Sequence, residues 1–326
     1  MKKVLVSEQI DVAGIELLKK HHYSVKIADG TDTPTLEKEI KDADALIIRS
    51  TELPAEVINA ADHLKIIARH GVGVNNIDIQ TATHNRILVT RVIGANTFAV
   101  AEYVLMMILM LSRGVERAQR TFREQRSQLK NFNSLTGFTN YFNLNRHEVR
   151  GKTLAILGLG HIGKVIAQLT QPLGMKVVAY DPYAKQQTIP IIPRLADALS
   201  QADFVSINMP LTPETQNLIT LDELKKMKSS AYIINSARGG IINENDLATA
   251  LRQEVIAGAA IDSYSVEPPL DNNLLFDVPN IILTPHFAGT TLESSRAQAV
   301  GAAQSIIDYF DGKLPNGAVN PDVLAK

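Results

Sequence analysis

A chain of 326 residues with 45% apolar and 21% charged side chains has the composition of a folded protein, and at about 100–200 residues per domain it should form two domains. Thirty-three basic against thirty-four acidic side chains leave a formal charge of -1 with no run of like charge, so neither nucleic acid nor a membrane surface is expected as a partner. With no cysteine, disulfides, thiol nucleophiles and thiolate metal sites are excluded, no metal site is expected, and a cytoplasmic location fits.

The first eight residues, Met1-Lys2-Lys3-Val4-Leu5-Val6-Ser7-Glu8, place an acid where a signal peptide would continue its apolar run, so they read as a first strand. Helical patterns at residues 13–20 and 36–41 then alternate with short β-branched runs at 25–28 and 45–49, and further runs follow at 64–68 and 87–92. Strands alternating with helices imply βαβ units and a parallel sheet. Residues 98–111 are the most apolar stretch. They carry Glu102 and fall short of the roughly 18 residues that a membrane span needs, so a buried helix is expected. Residues 123–149 are polar and asparagine-rich with aromatics among them, and read as a long loop, either an oligomer contact or a mobile surface segment.

The rhythm restarts after Gly151, with apolar runs at 153–157, 176–180, 204–208, 231–235, 257–261 and 281–284. Six runs suit a doubly wound parallel sheet. The last helical pattern, 293–310, is expected to return to the first domain. The expected division is therefore a discontinuous domain of residues 1–96 and 289–326 around a second of residues 97–288.

Between the strand-like Thr153-Leu154-Ala155-Ile156-Leu157 and the helix-like Lys164-Val165-Ile166-Ala167 lies Gly158-Leu159-Gly160-His161-Ile162-Gly163. A lone GxGxxG is weak, but strand-turn-helix context makes it a dinucleotide fingerprint. Gly158 turns the chain, Gly160 admits a pyrophosphate to the backbone, and Gly163 lets the helix pack closely. The helix N-terminus offers N–H groups to the phosphates. The next strand ends at Asp181, where the fingerprint expects an acid for the adenosine ribose. Its charge repels a 2′-phosphate and no arginine follows in Pro182-Tyr183-Ala184, so NAD is expected over NADP. The plainer reading is an ordinary βαβ crossover with a surface aspartate.

Together with that turn, the motifs Ala68-Arg69-His70-Gly71-Val72-Gly73-Val74-Asn75-Asn76-Ile77-Asp78, Asn235-Ser236-Ala237-Arg238-Gly239-Gly240, Ala260-Ile261-Asp262, Val266-Glu267-Pro268-Pro269 and Thr284-Pro285-His286 make the chain resemble the D-2-hydroxyacid dehydrogenases over nearly its whole length. Within them it looks like the D-3-phosphoglycerate dehydrogenase branch. The resemblance implies an α/β fold, with a Rossmann nucleotide domain and a smaller flavodoxin-like α/β substrate domain. It also implies a homodimer, for whose interface the 98–111 helix and the 123–149 segment are the candidates.

The resemblance assigns catalysis to Arg238, Glu267 and His286. The chemistry agrees: an alkoxide formed by hydride transfer needs a proton donor titrating near neutrality, a carboxylate stabilises the imidazolium, and a guanidinium holds a carboxylate while polarising the carbonyl. Singly, Arg238 could cap a helix, Glu267 could be a loop acid and His286 a buried strand-end residue. Gly71, Val72 and Gly73 match the family's substrate loop, though a plain glycine turn would look alike. Asn96 and Thr97 match cleft positions, and either could instead cap the following helix. As cofactor contacts the resemblance adds His161, Ile162, Met209, Pro210, Ser236, Ala237, Ala288 and Gly289, with Asp262 beside the nicotinamide carboxamide. Met209 could equally be plain packing.

Phosphoglycerate would require cations around a distal phosphate. Arg49 and Arg69 are the candidates, either of which could be a solvated surface charge, and Thr51 stands where some relatives carry a second cation. The substrate is thus expected to be either 3-phosphoglycerate or a small acid of the glycerate or glycolate type. Lys326 follows soon after Leu314-Pro315-Asn316, so serine feedback through a C-terminal domain is not expected. An NAD-sensing interaction protein of the corepressor type is the alternative from another class. A formate dehydrogenase is disfavoured, because that variant usually carries glutamine where Glu267 stands.

Overall fold

In the computed structural model, which describes residues 1–144, 147–184 and 188–325, the chain divides into two compact units, Met1–Asn96 with Thr290–Lys326 and Thr97–Gly289. The first unit runs β1 (Lys3–Val6), α1 (Val12–Lys20), β2 (Ser24–Ile27), α2 (Thr33–Ile40), β3 (Ala45–Ile48), α3 (Ala55–Asn59), β4 (Ile66–Arg69), α4 (Ile79–His84) and β5 (Leu88–Arg91). Its strands form one parallel sheet in the order β2-β1-β3-β4-β5, the flavodoxin-like arrangement. Aspartates start its helices: Asp11, Asp32 and Asp78 each accept a first-turn backbone N–H, satisfying a donor that the helix leaves unpaired.

The second unit begins with α5 (Thr97–Arg113), α6 (Val115–Glu124) and α7 (Leu135–Tyr141). It continues through β6 (Thr153–Leu157), α8 (His161–Thr170), β7 (Lys176–Tyr180), α9 (Leu195–Gln201), β8 (Phe204–Ile207), α10 (Leu221–Leu224), β9 (Tyr232–Asn235), α11 (Glu244–Arg252), β10 (Gly258–Ile261) and β11 (Ile281–Leu283). The strands pair in the order β11-β10-β9-β8-β6-β7, and a parallel bridge from Ala179 to Ile191 adds a rudimentary strand outside β7. With that bridge the order is the Rossmann one, reversing between β6 and β8. Finally α12 (Leu292–Phe310) packs on α1 and β4 of the first unit.

Period-two side-chain direction gives each sheet two apolar faces. Val4, Val6 and Ile47 face the α1 and α12 side with Ala299 and Ile306, while Leu5, Leu46 and Ile48 face the other side with Leu36 and Val57. In the second unit Leu154 and Ile156 pack with Val104 and Ile108 of α5, and Ala155 and Leu157 pack with Leu199 and Leu247.

Two expectations are corrected. The helix of residues 98–111 is only half buried: Val100, Val104, Ile108 and Leu111 meet the core, whereas Phe98 is 64% exposed and Met106 and Leu109 are also accessible. A helix laid on a sheet covers it with one face only. Residues 123–149 are not a long loop. The chain is helical to Glu124, 3-10 over Arg126–Asn131 and helical again over Leu135–Tyr141, where Ser134 Oγ caps Gly137 N–H at 3.0 Å. The stretch is organised by edge-to-face packing of Phe138 with Phe122 and Phe132, which overrides the weak helix propensity of asparagine. Residues 145–146 of that segment lie outside the described residues. Among the described residues no single helix is long and apolar enough to cross a membrane.

Candidate active site

Nearly all the candidate residues of the second unit sit just beyond the C-terminal ends of its strands, the edge at which open α/β sheets bind ligands. After β6 the chain turns at Gly158, whose φ of 95° a side chain would oppose. A Cβ there would lie 2.7 Å from the Asn208 carbonyl oxygen. Gly163 lets α8 approach, since a Cβ would meet the Gly158 carbonyl at 2.4 Å. Gly160 differs: a Cβ there would meet nothing within 4 Å, so its backbone faces open space at the N-terminus of α8, beside exposed His161 and half-buried Ile162. Asp181 follows β7 and accepts from the backbone N–H of Leu159 at 2.8 Å and of Tyr183 at 2.9 Å, tying the second strand end to the glycine turn.

Met209 is half buried against the core, and the exposed Pro210 accepts at its carbonyl from Thr215 Oγ1 at 2.7 Å. Beyond β8 and β9, Asn208 Oδ1 and Ser236 Oγ are buried without hydrogen-bond partners among the described residues. Unpaired buried polar atoms are costly, and at the ligand-binding edge of the sheet they fit a polar ligand such as a dinucleotide. Ala237 N–H is held by Asn235 Oδ1 at 3.1 Å.

Arg238, Glu267 and His286 come together on this edge. His286 Nδ1 lies 2.7 Å from Glu267 Oε2, and Glu267 Oε1 accepts from the Tyr264 backbone N–H at 2.9 Å. The hydrogen bond to Glu267 raises the His286 pKa above its ordinary value, burial opposes this, and the charges of Glu267 and Asp262 add to the rise. Burial alone would raise Glu267. The bonds from His286 and Tyr264 and the charges of His286 and Arg238 outweigh it and hold the carboxyl below its usual range. Burial lowers Arg238, and Glu267 offsets this in part. The guanidinium is braced by the Ala237 carbonyl at 2.7 Å, while Asn235 Nδ2 holds the Arg238 carbonyl at 2.9 Å. Gly239 presses the arginine loop on the glutamate loop: a Cβ there would stand 1.9 Å from the Tyr264 carbonyl carbon, so only glycine permits the approach.

Asp262, at the end of β10, is 0% exposed, and its carboxylate accepts from Thr284 Oγ1 at 2.6 Å, Phe287 N–H at 3.0 Å and Ala288 N–H at 2.9 Å. It therefore faces the loop that carries His286, with Gly289 following directly. This task is additional to the carboxamide contact that the resemblance implies, and a sequence cannot display it, because the partners lie more than twenty residues away.

In the first unit, by itself, Arg49 and Arg69 lie at the ends of β3 and β4. Asn76 organises both: its Nδ2 donates to the carbonyls of Arg49 at 3.2 Å and Thr51 at 2.7 Å, and its Oδ1 accepts from Arg69 Nε at 3.2 Å. Arg69 also bonds the His70 carbonyl. The Gly71-Val72-Gly73 loop follows, with Gly71 at φ 142°. Burial pushes His70 down to about 4, and the charges of Arg49 and Arg69 act in the same sense, so this histidine is neutral and the cationic character of the edge comes from the arginines. Asn96 is half buried immediately before α5.

Three residues were not singled out by the sequence reading. Glu8 accepts from Ser50 N–H at 2.7 Å, Thr51 N–H at 2.9 Å and Thr51 Oγ1 at 2.8 Å. Burial would raise this carboxyl, and these bonds bring it below its ordinary range. The others are Tyr103 and Thr284, whose hydroxyls lie 2.7 Å apart. The pairing of Glu8 with residues 42 and 43 positions away leaves no local signal.

Residues 105–288 match the family model described as D-isomer specific 2-hydroxyacid dehydrogenase, NAD binding domain. The chain is 39% identical to a D-3-phosphoglycerate dehydrogenase of Synechocystis sp. over all of its own length and 58% of that relative's. It is 36% identical to a glyoxylate reductase of Thermofilum pendens, over 99% of this chain and 95% of the relative. Its fold superimposes on an NAD-dependent formate dehydrogenase from Staphylococcus aureus in complex with NAD with a TM-score of 0.80 at 27% identity, covering 96% of each chain. The chain thus spans a little under two thirds of its phosphoglycerate dehydrogenase relative and nearly all of its glyoxylate reductase relative. From the matched domain and these full-length similarities, the chain belongs to the D-isomer specific 2-hydroxyacid dehydrogenase family.

Proposed function

We propose that this chain is an NAD-dependent dehydrogenase interconverting a D-2-hydroxy acid and its 2-keto acid. The observation that carries the reading is the 2.7 Å pair of His286 with Glu267 on the sheet edge that also holds Arg238. The cofactor would lie along Gly158, Gly160, His161, Ile162 and Gly163, with Asp181 at the adenosine ribose, Met209 and Pro210 beside the adenosine, and Ser236, Ala237, Asp262, Ala288 and Gly289 toward the nicotinamide. When bound, NADH supplies the hydride that reduces the keto carbon.

The chain's own residues do the rest. Nδ1 of His286 is engaged by Glu267, so Nε2 is the atom left to deliver a proton to the oxygen that becomes the hydroxyl. Glu267 holds the ring and favours the imidazolium. Arg238 pairs with the acid's carboxylate and draws charge from the carbonyl. In the opposite direction neutral His286 takes the hydroxyl proton. The family resemblance gives the Gly71-Val72-Gly73 loop of the first unit an anion-receiving role through its backbone N–H groups, with Asn96 as a further substrate contact.

For the substrate, 3-phosphoglycerate is one reading, with Arg49 and Arg69 facing the phosphate, and it is the activity named for several relatives. A second, favoured by a specific contact, is an unphosphorylated acid of the glyoxylate or hydroxypyruvate class: Thr51 gives its hydroxyl and N–H to Glu8, which puts a carboxylate beside the position where a second cation would serve a phosphate. We further propose a homodimer, supported by the exposed apolar side chains Phe98, Met106, Leu109 and Phe122 of α5 and α6, and a cytoplasmic setting, where NAD(H) is available. Light scattering of the purified protein tests the dimer.

The experiment that tests the enzyme is an NADH oxidation screen with hydroxypyruvate, phosphohydroxypyruvate, glyoxylate, pyruvate and branched 2-keto acids. Turnover of at least one is expected, with His286→Ala and Arg238→Ala abolishing it while NADH still binds. Full activity in both variants would defeat the assignment, and NADH-dependent partner binding without turnover would favour the corepressor type.

A further inference from the structure

His286 stands at φ 53°, the left-handed region that a non-glycine side chain enters only when its surroundings enforce it. Its loop is held from several sides. Backbone N–H groups of the next two residues donate to Asp262, its own N–H reaches the Thr284 carbonyl at 3.1 Å, and Tyr264 Oη donates to that same carbonyl at 2.9 Å. One contact comes from outside the strand-end loops. Tyr103, 5% exposed in the middle of α5, places its hydroxyl 2.7 Å from Thr284 Oγ1 and its ring edge-on to Phe287, centroids 5.7 Å apart.

Thr284 has one hydroxyl hydrogen. The 2.6 Å contact with the Asp262 carboxylate takes it, so the Tyr103 hydroxyl must be the donor to Thr284. The result is a one-way chain, from Tyr103 to Thr284 to Asp262, in which each donor polarises the next. A ring contact on the far side of the histidine completes the grip.

We propose that Tyr103 is a positioning residue for His286, gripping the loop on both flanks of the histidine through Thr284 and Asp262 on one side and Phe287 on the other. The proposal rests on the dehydrogenase reading for its kinetic consequence but not for its structural one. The charged groups facing His286 are Glu267, Asp262 and Arg238; the titratable groups facing Asp262 are His286, Tyr103 and Tyr264, and its hydrogen-bond donors are the Thr284 hydroxyl and the Phe287 and Ala288 backbone N–H groups. Burial raises Asp262 and its hydrogen bonds lower it, so loosening the Thr284 bond weakens the anion whose charge helps keep His286 protonated. Burial also raises Tyr103, which keeps it a donor throughout the neutral range.

The test uses Tyr103→Phe, which keeps the ring and removes the hydroxyl, Tyr103→Leu, which removes both, and Thr284→Val. An NMR titration of the His286 ring proton, assigned by its loss in His286→Gln, reads the loop without turnover. Its midpoint is expected to fall by a few tenths of a pH unit in Tyr103→Phe and by more in Thr284→Val; midpoints in both variants that coincide with wild type overturn the proposal. With the keto acid that wild type reduces fastest, Tyr103→Phe is expected to lower kcat about three- to tenfold, and Tyr103→Leu further, with the NADH Kd unchanged. In an Asp262→Ala background, which removes the acceptor at the end of the chain, the same Tyr103→Phe change should cost less than twofold. An equal loss in both backgrounds overturns the chain. If wild type reduces no keto acid, the dehydrogenase reading fails and the titration alone decides the brace.

Discussion

Replacing Glu267 with glutamine keeps the size of the side chain and one of its two acceptor oxygens, and removes its charge. Two unit charges about 4 Å apart at an effective dielectric near 20 interact by roughly 4 kcal/mol. The His286 and Glu267 side chains are 43% and 38% exposed; exposed ion pairs contribute about 0.2–1 kcal/mol and hydrogen bonds to charged groups about 1.5–3 kcal/mol, which puts this charge-assisted pair at about 1–2 kcal/mol. Glu267 raises the folded pKa of His286, so in wild type the imidazolium persists to higher pH than in a free histidine and is lost as pH rises through that raised value. Reduction of a keto acid needs the imidazolium. In Glu267→Gln its alkaline limb should therefore move to lower pH, and at pH 8 reductive kcat/KM should fall about 5- to 30-fold, the factor equivalent to 1–2 kcal/mol, with a smaller loss below pH 6. Oxidation of the hydroxy acid needs neutral histidine, so its acid limb should move the same way and activity at low pH should be relatively spared. The assay is kcat/KM in both directions from pH 5 to 10. Profiles that superimpose on wild type after scaling would refute the reasoning, because the charge would then contribute nothing to the proton on His286.

Asp181→Asn retains an acceptor for the Leu159 N–H while removing the charge that repels a 2′-phosphate, so the preference for NADH over NADPH should shrink about tenfold by fluorescence titration; an unchanged ratio would mean that Asp181 does not face the ribose. Asn320 is 9% exposed and ties the C-terminal segment to β5, accepting from Val89 N–H at 2.7 Å and donating to the Ile87 carbonyl at 3.0 Å and to Thr83 Oγ1 at 2.9 Å. Asn320→Ala leaves buried backbone groups unpaired and should cost about 2–4 kcal/mol, read from urea unfolding of the first unit's transition. A midpoint equal to wild type would show that water satisfies those groups.

The strands were legible because each is a short β-branched run flanked by helical periodicity, and in both units the parallel order follows from the βαβ rhythm. The glycine turn and Asp181 could be read from spacing, and Arg238, Glu267 and His286 from ordered motifs. What could not be read depends on distance in sequence. Glu8 meets Ser50 and Thr51 across the switch between β1 and β3, and nothing in Ser7-Glu8-Gln9 announces it. Asp262 reads as a ligand contact, yet its buried carboxylate grips residues 284, 287 and 288. Tyr103 lies within an apolar helix where periodicity marks it as core, and only the fold sets its hydroxyl against Thr284. Residues 126–141 failed for the opposite reason: their asparagines and glycine argue for loop, while the phenylalanine cluster supplies the tertiary packing that makes them helical.

The central claim is that this site makes and breaks the D-configured 2-hydroxy acid. The most direct measurement is chiral chromatography of the product formed from NADH and the 2-keto acid that the protein reduces fastest. The account predicts the D enantiomer essentially alone, disappearing in His286→Ala. An L or racemic product, or NADH oxidation that survives the loss of His286, would contradict it.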